Sequence, residues 1–402
     1  MTPSNQILST LDPSQAAAIE NLRARFALLP DRRMQGRVVH RIDAVLMIAL
    51  CSMLSDNDSF TDMEAFAKSQ LEWLRTFLSL KNGAPSHDVF RNVFMALRPQ
   101  ALLDILADWC GELGGQHIAI DGKSLRGSDS PASALKMMHV LRAWVDAVGI
   151  SAGQEMCSEK SNEIEALPRL LNALNLKGAI VTIDAMGCQT GIARQIHRAG
   201  GDYILALKGN QKEAMEAVAA QFTKLDALAE DKHENGTPCP ALAAVAETVE
   251  LSHGRFEQRV CTVISDLKWF DKSWKWEGLR TVVRIERTTH RVGTRDELSR
   301  EIHYYLSSRQ ESDGAYFLKL VRGHWTVENK CHHILDVTFG EDDCQVRDRF
   351  AAHNLCIMRE LAAKVLRDHP AKKSIRAKRK LAALDPLFRF SLIATIPSTP
   401  HA

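Results

Sequence analysis

Two aspartates close two short apolar runs. Asp121 follows Ile118-Ala119-Ile120, and Asp184 follows Val181-Thr182-Ile183. Short, bounded apolar runs are the pattern of buried strands. A carboxylate directly after such a strand stands at the carboxyl edge of a sheet, where α/β folds place ligands. One Asp there is ordinarily a cap or a turn residue. Two at the ends of neighbouring strands bring like charges together, and such a pair calls for a cation. Oxygen-only donors favour Mg²⁺ or Mn²⁺ over zinc. A third carboxylate is offered by Glu328 in His324-Trp325-Thr326-Val327-Glu328-Asn329. His324, Glu328 and His332 are spaced to share one helical face. A solvated helix carboxylate looks the same, so spacing alone is a weak signal.

Cations and amides surround these acids in sequence. Lys123 and Arg126 follow Asp121, as phosphate contacts or as solvated turn cations. Lys160, Lys208 and Asn210 fall at predicted strand ends near the same edge. His253, Arg255 and Arg259 lie in a predicted hairpin suited to gripping backbone phosphate. Arg322, His324 and Asn329 flank Glu328 and are further candidates for phosphate contact. Trp269, Trp274 and Trp276 read as a small apolar core more readily than as a stacking platform. Trp325 is expected to pack beneath the site. Cys331, His332, His333, Cys344, His353 and Cys356 contain no Cys-x₂-Cys pair, which disfavours zinc. Lys364 to Lys380 holds eight Lys/Arg against one Asp. It reads as a basic tail able to bind DNA with steep salt dependence.

The elements that would position these groups follow from periodicity. Residues 13 to 110 read as helical, with a buried helix over Asp43–Leu54 and another opening at Ser59. The character changes at Gly114-Gly115. Strands are expected at His117–Ile120, Met138–Val148, Ile150–Cys157, Ala179–Ile183 and Tyr203–Leu207. Helices are expected at Asn162–Leu174 and Thr190–Ala199. Residues 243 to 307 read as β again, Gly314–Leu335 as one helix, and 349 to 367 as the last. The expected domains are 1–112, helical; 113–232, the first part of an α/β core; 233–312, a β-rich insertion; 313–368, core helices carrying Glu328; and 369–402, a basic tail.

Composition sets outer bounds. The chain has 402 residues, 45% apolar and 25% charged, with a net charge of +2. That excludes disorder over most of its length. Nucleic acid would have to be held by local patches and not by a global positive excess. Nine scattered cysteines read as reduced thiols of an intracellular protein. The longest apolar stretch, Val45–Leu54, is about half a membrane span. No signal pattern opens the chain.

Six ordered motifs then carry a resemblance. They are Ile120 to Gly127 (IDGKSLRG), Lys160 to Ile164 (KSNEI), Thr182 to Gln189 (TIDAMGCQ), Asp202 to Gln211 (DYILALKGNQ), His253 to Glu257 (HGRFE) and His324 to Asp342 (HWTVENKCHHILDVTFGED). Together they resemble the H-repeat-associated group of bacterial insertion-sequence DDE transposases, over roughly residues 20 to 365. The resemblance implies an RNase H-like catalytic core, a mixed five-stranded sheet flanked by helices, with a β-rich insertion subdomain and an N-terminal helical domain. It implies Asp121, Asp184 and Glu328 as the acidic triad holding two Mg²⁺ or Mn²⁺ ions. It implies double-stranded DNA as partner, a homodimer or higher oligomer on that DNA, and a cytoplasmic, nucleoid-associated setting. Val321, His324 and Leu335 stand where the Tyr, Arg and Lys of a related signature would be. Two other readings keep the triad: a metal-dependent nuclease without strand transfer, and an inactive descendant that only binds DNA.

Overall fold

The computed structural model describes residues 13–34, 36, 38–129, 137–157, 163–234, 245–252, 255–291 and 297–396. The first helices are α1 (Pro13–Ala27), α2 (Ile42–Leu54), α3 (Phe60–Ser69), α4 (Leu71–Leu74), α5 (His87–Ala96) and α6 (Pro99–Cys110). Then come β1 (His117–Leu125), β2 (Met138–Val145), β3 (Ile150–Cys157), α7 (Glu163–Asn172), β4 (Ile180–Ile183), α8 (Thr190–Arg198), β5 (Asp202–Leu207) and α9 (Lys212–Glu234). Four long strands follow: β6 (Val245–Ser252), β7 (Arg255–Ile264), β8 (Thr281–Arg291) and β9 (Glu297–Ser307). The chain ends in α10 (Gly314–His324), α11 (His333–Phe339), α12 (Arg349–Asp368), α13 (Ile375–Leu384) and α14 (Pro386–Ile393). Among the described residues no helix is long and apolar enough to cross a membrane.

By internal contacts the chain divides into two units. One comprises Met1–Gly111, Gly122–Ala166 and Glu328–Ala402; the other comprises Glu112–Asp121 and Leu167–Val327.

The second unit is built on a mixed sheet in the order β1-β4-β5-β9-β8-β7-β6. β1, β4 and β5 run parallel, as the crossover helices require. β9 joins β5 antiparallel, with Ile204 opposite Ser307 and Leu207 opposite Tyr304. β9, β8, β7 and β6 then pair antiparallel in succession. This corrects the expected five-stranded sheet: the described residues hold nine strands, and the β-rich stretch extends the core sheet directly. An unpaired edge on β5 would leave its N–H and C=O groups open, and β9 closes it. Ile204, Cys261, Val263, Val283 and Ile285 pack against Phe317, Leu320 and Val321 of α10. On the other face Phe222 of α9 stacks on Tyr304 at 5.7 Å.

The first unit gathers the N-terminal helices around α12. Every residue of α2 is buried, and its sequence is accordingly apolar but for Asp43, which pairs with Arg23 and Arg41, and Ser52, which donates to the Asn57 carbonyl. α3 begins in the expected place with a capping box. The Ser59 hydroxyl accepts from the Asp62 N–H, and the Asp62 carboxylate accepts from the Ser59 N–H. The stretch read as a basic tail is two packed helices. Lys378, Arg379 and Arg389 are 4%, 0% and 0% exposed. Arg389 donates to the Ala382 carbonyl at 2.8 Å and lies 4.5 Å from the Trp73 ring. Lys378 donates to the carbonyls of Leu366 and His369. Those cations serve helix ends and aromatic faces, so only Lys372, Lys373, Arg376 and Lys380 of α13 and its approach are exposed.

β2 and β3 pair antiparallel in this unit and enclose a buried ionic network. Arg142 donates to Glu341 at 2.7 Å, and both side chains are 0% exposed. Glu360 accepts from the Ser151 N–H and the Gln154 amide. His353 is buried beside them, and burial together with the Arg142 and Arg349 charges pushes its pKa down to about 3. The folded state therefore holds this ring neutral while the unfolded chain protonates it near pH 6.5. Stability is expected to fall as pH drops from about 6.5 towards about 3, by up to about 1.4 kcal/mol per pH unit. Denaturation of His353→Leu across that range checks this: its acid slope should be shallower than that of the parent protein.

Candidate active site

The acidic pair is set by strand register. Ile118 pairs with Val181, Ala119 with Thr182 and Ile120 with Ile183 on parallel neighbours. Asp121 and Asp184 are the next residues on those two strands. Neighbouring strands lie about 4.8 Å apart, so the chain carries the two aspartates past one sheet edge on adjacent strands. β1 does not stop at Asp121, as expected, but runs on to Leu125. Gly122-Lys123-Ser124 reads as a turn, yet Leu125 is buried and Lys123 finds carboxylate partners, so the segment stays extended.

Asp184 is exposed and caps the turn after β4. Its Oδ1 accepts from the Met186 N–H at 3.1 Å and the Gly187 N–H at 3.5 Å. The turn is held from the next strand end. The Asn210 amide donates to the Ala185 carbonyl at 2.7 Å, and the Gln211 amide to the Cys188 carbonyl at 3.1 Å. Asn210, expected to touch DNA, is thus bound to the loop that aims Asp184. Gln211 was not singled out by sequence reading; its only signal is its place beside Asn210 after β5. Asn210→Ala is expected to lower DNA cleavage about fivefold to tenfold, the worth of one hydrogen bond. DNA affinity measured in parallel should stay within about twofold.

Glu328 sits in a π-helical turn, Val327–His332, where one regular helix was expected. Such turns widen the spiral by one residue and recur at functional sites. Glu328 is exposed and bonded to His332 at 3.1 Å. That bond holds its carboxyl below the ordinary value, with burial opposing and the charges of His332, Lys123 and His333 adding. His324 does not share this partnership. Its Nδ1 lies 3.0 Å from the Thr182 hydroxyl, which is 2.8 Å from Nε2 of His117. The straight i, i+4, i+8 face is broken by the π turn.

The remaining expected DNA contacts divide. Lys123 is bonded to Asp336 at 2.7 Å and Asp342 at 3.0 Å, and Arg126 lies 3.5 Å from Asp342. Arg322 is ion-paired with Glu250, and Arg259 with Glu250 and Glu257. Their charges answer carboxylates of the fold. Lys208, Arg255 and Asn329 are exposed. Lys160 and His253 lie outside the described residues. Trp325, expected to pack beneath the site, is 65% exposed. Trp269 and Trp274 both pack edge-on against Phe270, and Trp276 is 8% exposed. Trp276 is thus buried as the small-core reading expects, while Trp269 and Trp274 are half-buried around Phe270.

The mixed sheet thus carries two aspartates directly after adjacent parallel strand pairs. The chain belongs to the DDE transposases. The family model described as "Transposase DDE domain" matches residues 112–365, and that described as "DDE_Tnp_1-associated" matches residues 23–110. The chain is 33% identical to the "H repeat-associated putative transposase YhhI" of Escherichia coli (strain K12) over 385 residues, covering 94% of this chain and 98% of that protein. It is 32% identical over 384 residues to the "Putative transposase YncI" of Escherichia coli O157:H7, covering 94% of this chain and 95% of that one. A shorter relative, the "Inactive transposase YbfQ" of Escherichia coli (strain K12), is 28% identical over 75 residues, covering 19% of this chain and 89% of that protein. The resemblance carried by the six motifs is borne out at the level of the family.

Proposed function

We propose that this protein cleaves phosphodiester bonds at the ends of an insertion-sequence element and joins the resulting 3′ ends to target DNA. Asp121, Asp184 and Glu328 are its catalytic carboxylates. The observation that carries the reading is the pairing of Ile120 with Ile183, which sets Asp121 beside Asp184. The donor chemistry fits hard divalent cations: these are carboxylate oxygens, and thiolates are absent from the set. Asp121, Asp184 and Glu328 would hold two Mg²⁺ or Mn²⁺ ions. When bound, such ions lower the pKa of the attacking hydroxyl and stabilise the leaving oxygen of an in-line displacement.

The protein's own groups do the rest. Met186 and Gly187 N–H groups and the Asn210 clamp fix the rotamer of Asp184. His332 holds Glu328 ionised and oriented. Lys208, Arg255 and Asn329, all exposed, are the groups proposed to meet DNA backbone, as are Lys160 and His253 by sequence alone. Two ends must be brought together for joining, so a homodimer or higher oligomer on double-stranded DNA is the proposed working form, with the nucleoid in the cytoplasm as its setting.

The test is an assay of wild-type protein on labelled element-end duplex with target DNA, with Mg²⁺, with Mn²⁺ and with chelator. Nicking followed by joined product supports the reading. Nicking alone makes the protein a nuclease without strand transfer. Binding without cutting in either metal makes it an inactive descendant.

A further inference from the structure

The third position of β4 is polar in an otherwise apolar strand, Ile180-Val181-Thr182-Ile183. Thr182 is 3% exposed, and a buried hydroxyl needs partners. It has two, both histidines: Nε2 of His117 at 2.8 Å and Nδ1 of His324 at 3.0 Å. Thr182 lies two residues before Asp184, so both project from the same face of the sheet. His117 opens β1, four residues before Asp121, on that same face. His324 is the last residue of α10, four residues ahead of Glu328 in the chain.

The local fit supports a built contact. A Cβ at Gly323 would come within 2.8 Å of Nδ1 of His117. Only glycine lets the last turn of α10 approach the ring this closely. Proton counting fixes the direction further. A hydroxyl carries one proton, so at most one of the two ring nitrogens accepts from it. The other must present an N–H to the oxygen.

We propose that Thr182 is a positioning residue for strand cleavage, its hydroxyl joining His117 to His324 and so holding the end of α10 to the strand that carries Asp184. This rests on the functional reading above. It reassigns His324 from a phosphate contact to a fixed strut. The segment that leads into Glu328 then starts from a set point. A displacement of about 1 Å in a catalytic group costs on the order of a hundredfold in rate, so a strut of this kind bears on turnover and not on DNA affinity.

Four variants of the full chain test it: Thr182→Val, Thr182→Ser, His324→Asn and His324→Gln. Valine keeps the shape and removes the hydroxyl. Serine restores it. Asn places its amide where Nδ1 was, and Gln does not. Circular dichroism melts set an assay temperature at which all are folded. Thr182→Val and His324→Gln are expected to nick an element-end duplex about tenfold or more slowly. Thr182→Ser and His324→Asn should recover to within about threefold of wild type. For all four, duplex affinity should stay within about twofold, with an unchanged dependence of log K on log salt. ¹⁵N-histidine spectra give a readout apart from activity. A protected ring N–H present in wild type and Thr182→Ser should be missing in Thr182→Val.

Three results overturn the proposal: Thr182→Val cutting at the wild-type rate, Thr182→Ser as slow as Thr182→Val, or His324→Gln losing affinity with a shallower salt slope. The last would return His324 to the DNA. A wild type that cuts in neither metal overturns the functional reading instead, and this proposal with it.

Discussion

Asp121→Ala, Asp184→Ala and Glu328→Ala are each expected to cut an element-end duplex about a thousandfold more slowly than wild type, or worse. Losses of that size mark groups that act as one catalytic unit, so double variants should be little slower than single ones. Duplex affinity should not fall, because removing a carboxylate from the edge proposed to meet DNA removes repulsion. Chelator should reproduce the defect in wild type, and Mn²⁺ should relieve it. Gel assays of nicking and joining, with anisotropy for binding, measure both sides. Normal cutting by Glu328→Ala would sink the third assignment. The two nearest substitutes by sequence are already committed elsewhere. Glu341 is buried against Arg142, and Asp336 holds Lys123, its carboxyl raised by burial. Neither has the exposed carboxylate that a shared substrate site needs.

Arg379→Met should lower stability by about 3–5 kcal/mol, the cost of leaving a buried charge without its partner. Arg379 is fully buried. It donates to the Met53 carbonyl at 2.9 Å, to Asp58 at 2.6 Å and to the Thr338 carbonyl, with the Phe339 ring 4.2 Å away. Asp58 would be stranded; burial already raises its carboxyl, against the pull of Arg379. In a unit of this size the loss corresponds to about 6–20 °C in melting temperature. Lys372→Gln, at an exposed position of the same basic tract, should change stability by less than about 0.5 kcal/mol. Thermal and urea denaturation of the two variants separate the cases. An Arg379→Met protein that melts with wild type would mean that α13 is no part of the helical core.

The two predictions also show where sequence was readable. Asp121 and Asp184 could be found because a strand announces itself locally, through apolar runs that end at a charge. The helix opening at Ser59 and the buried α2 were readable for the same reason. Arg379, Arg389 and Lys378 could not be. A cation tract reads as solvated unless distant carbonyls, Asp58 and aromatic rings are known to surround it, and those partners come from elsewhere in the chain. The partners of Lys123 and Arg126 were hidden in the same way, since Asp336 and Asp342 lie over 200 residues further on. The π turn at Glu328 hides within a good helical pattern, because one extra residue per turn leaves composition unchanged. The continuation of the sheet through β9 was masked by chain order, for β5 and β9 are separated by α9 and three strands.

The enclosure of α2 has a consequence for how the protein is made. Part of its surface is covered by α1, α3 and α5 and the rest by α12, α13 and α14, yet α14 ends at Ile393, about 340 residues after Leu54. At 5–20 residues per second a ribosome needs about 20–70 s to deliver that cover. During this interval the face of this largely apolar helix that the late helices cover is exposed on the nascent chain. Holdase chaperones that take up apolar segments are therefore expected companions of synthesis. A polypeptide released before α12 would present α2 to the cell as a sticky fragment, not as a smaller working domain.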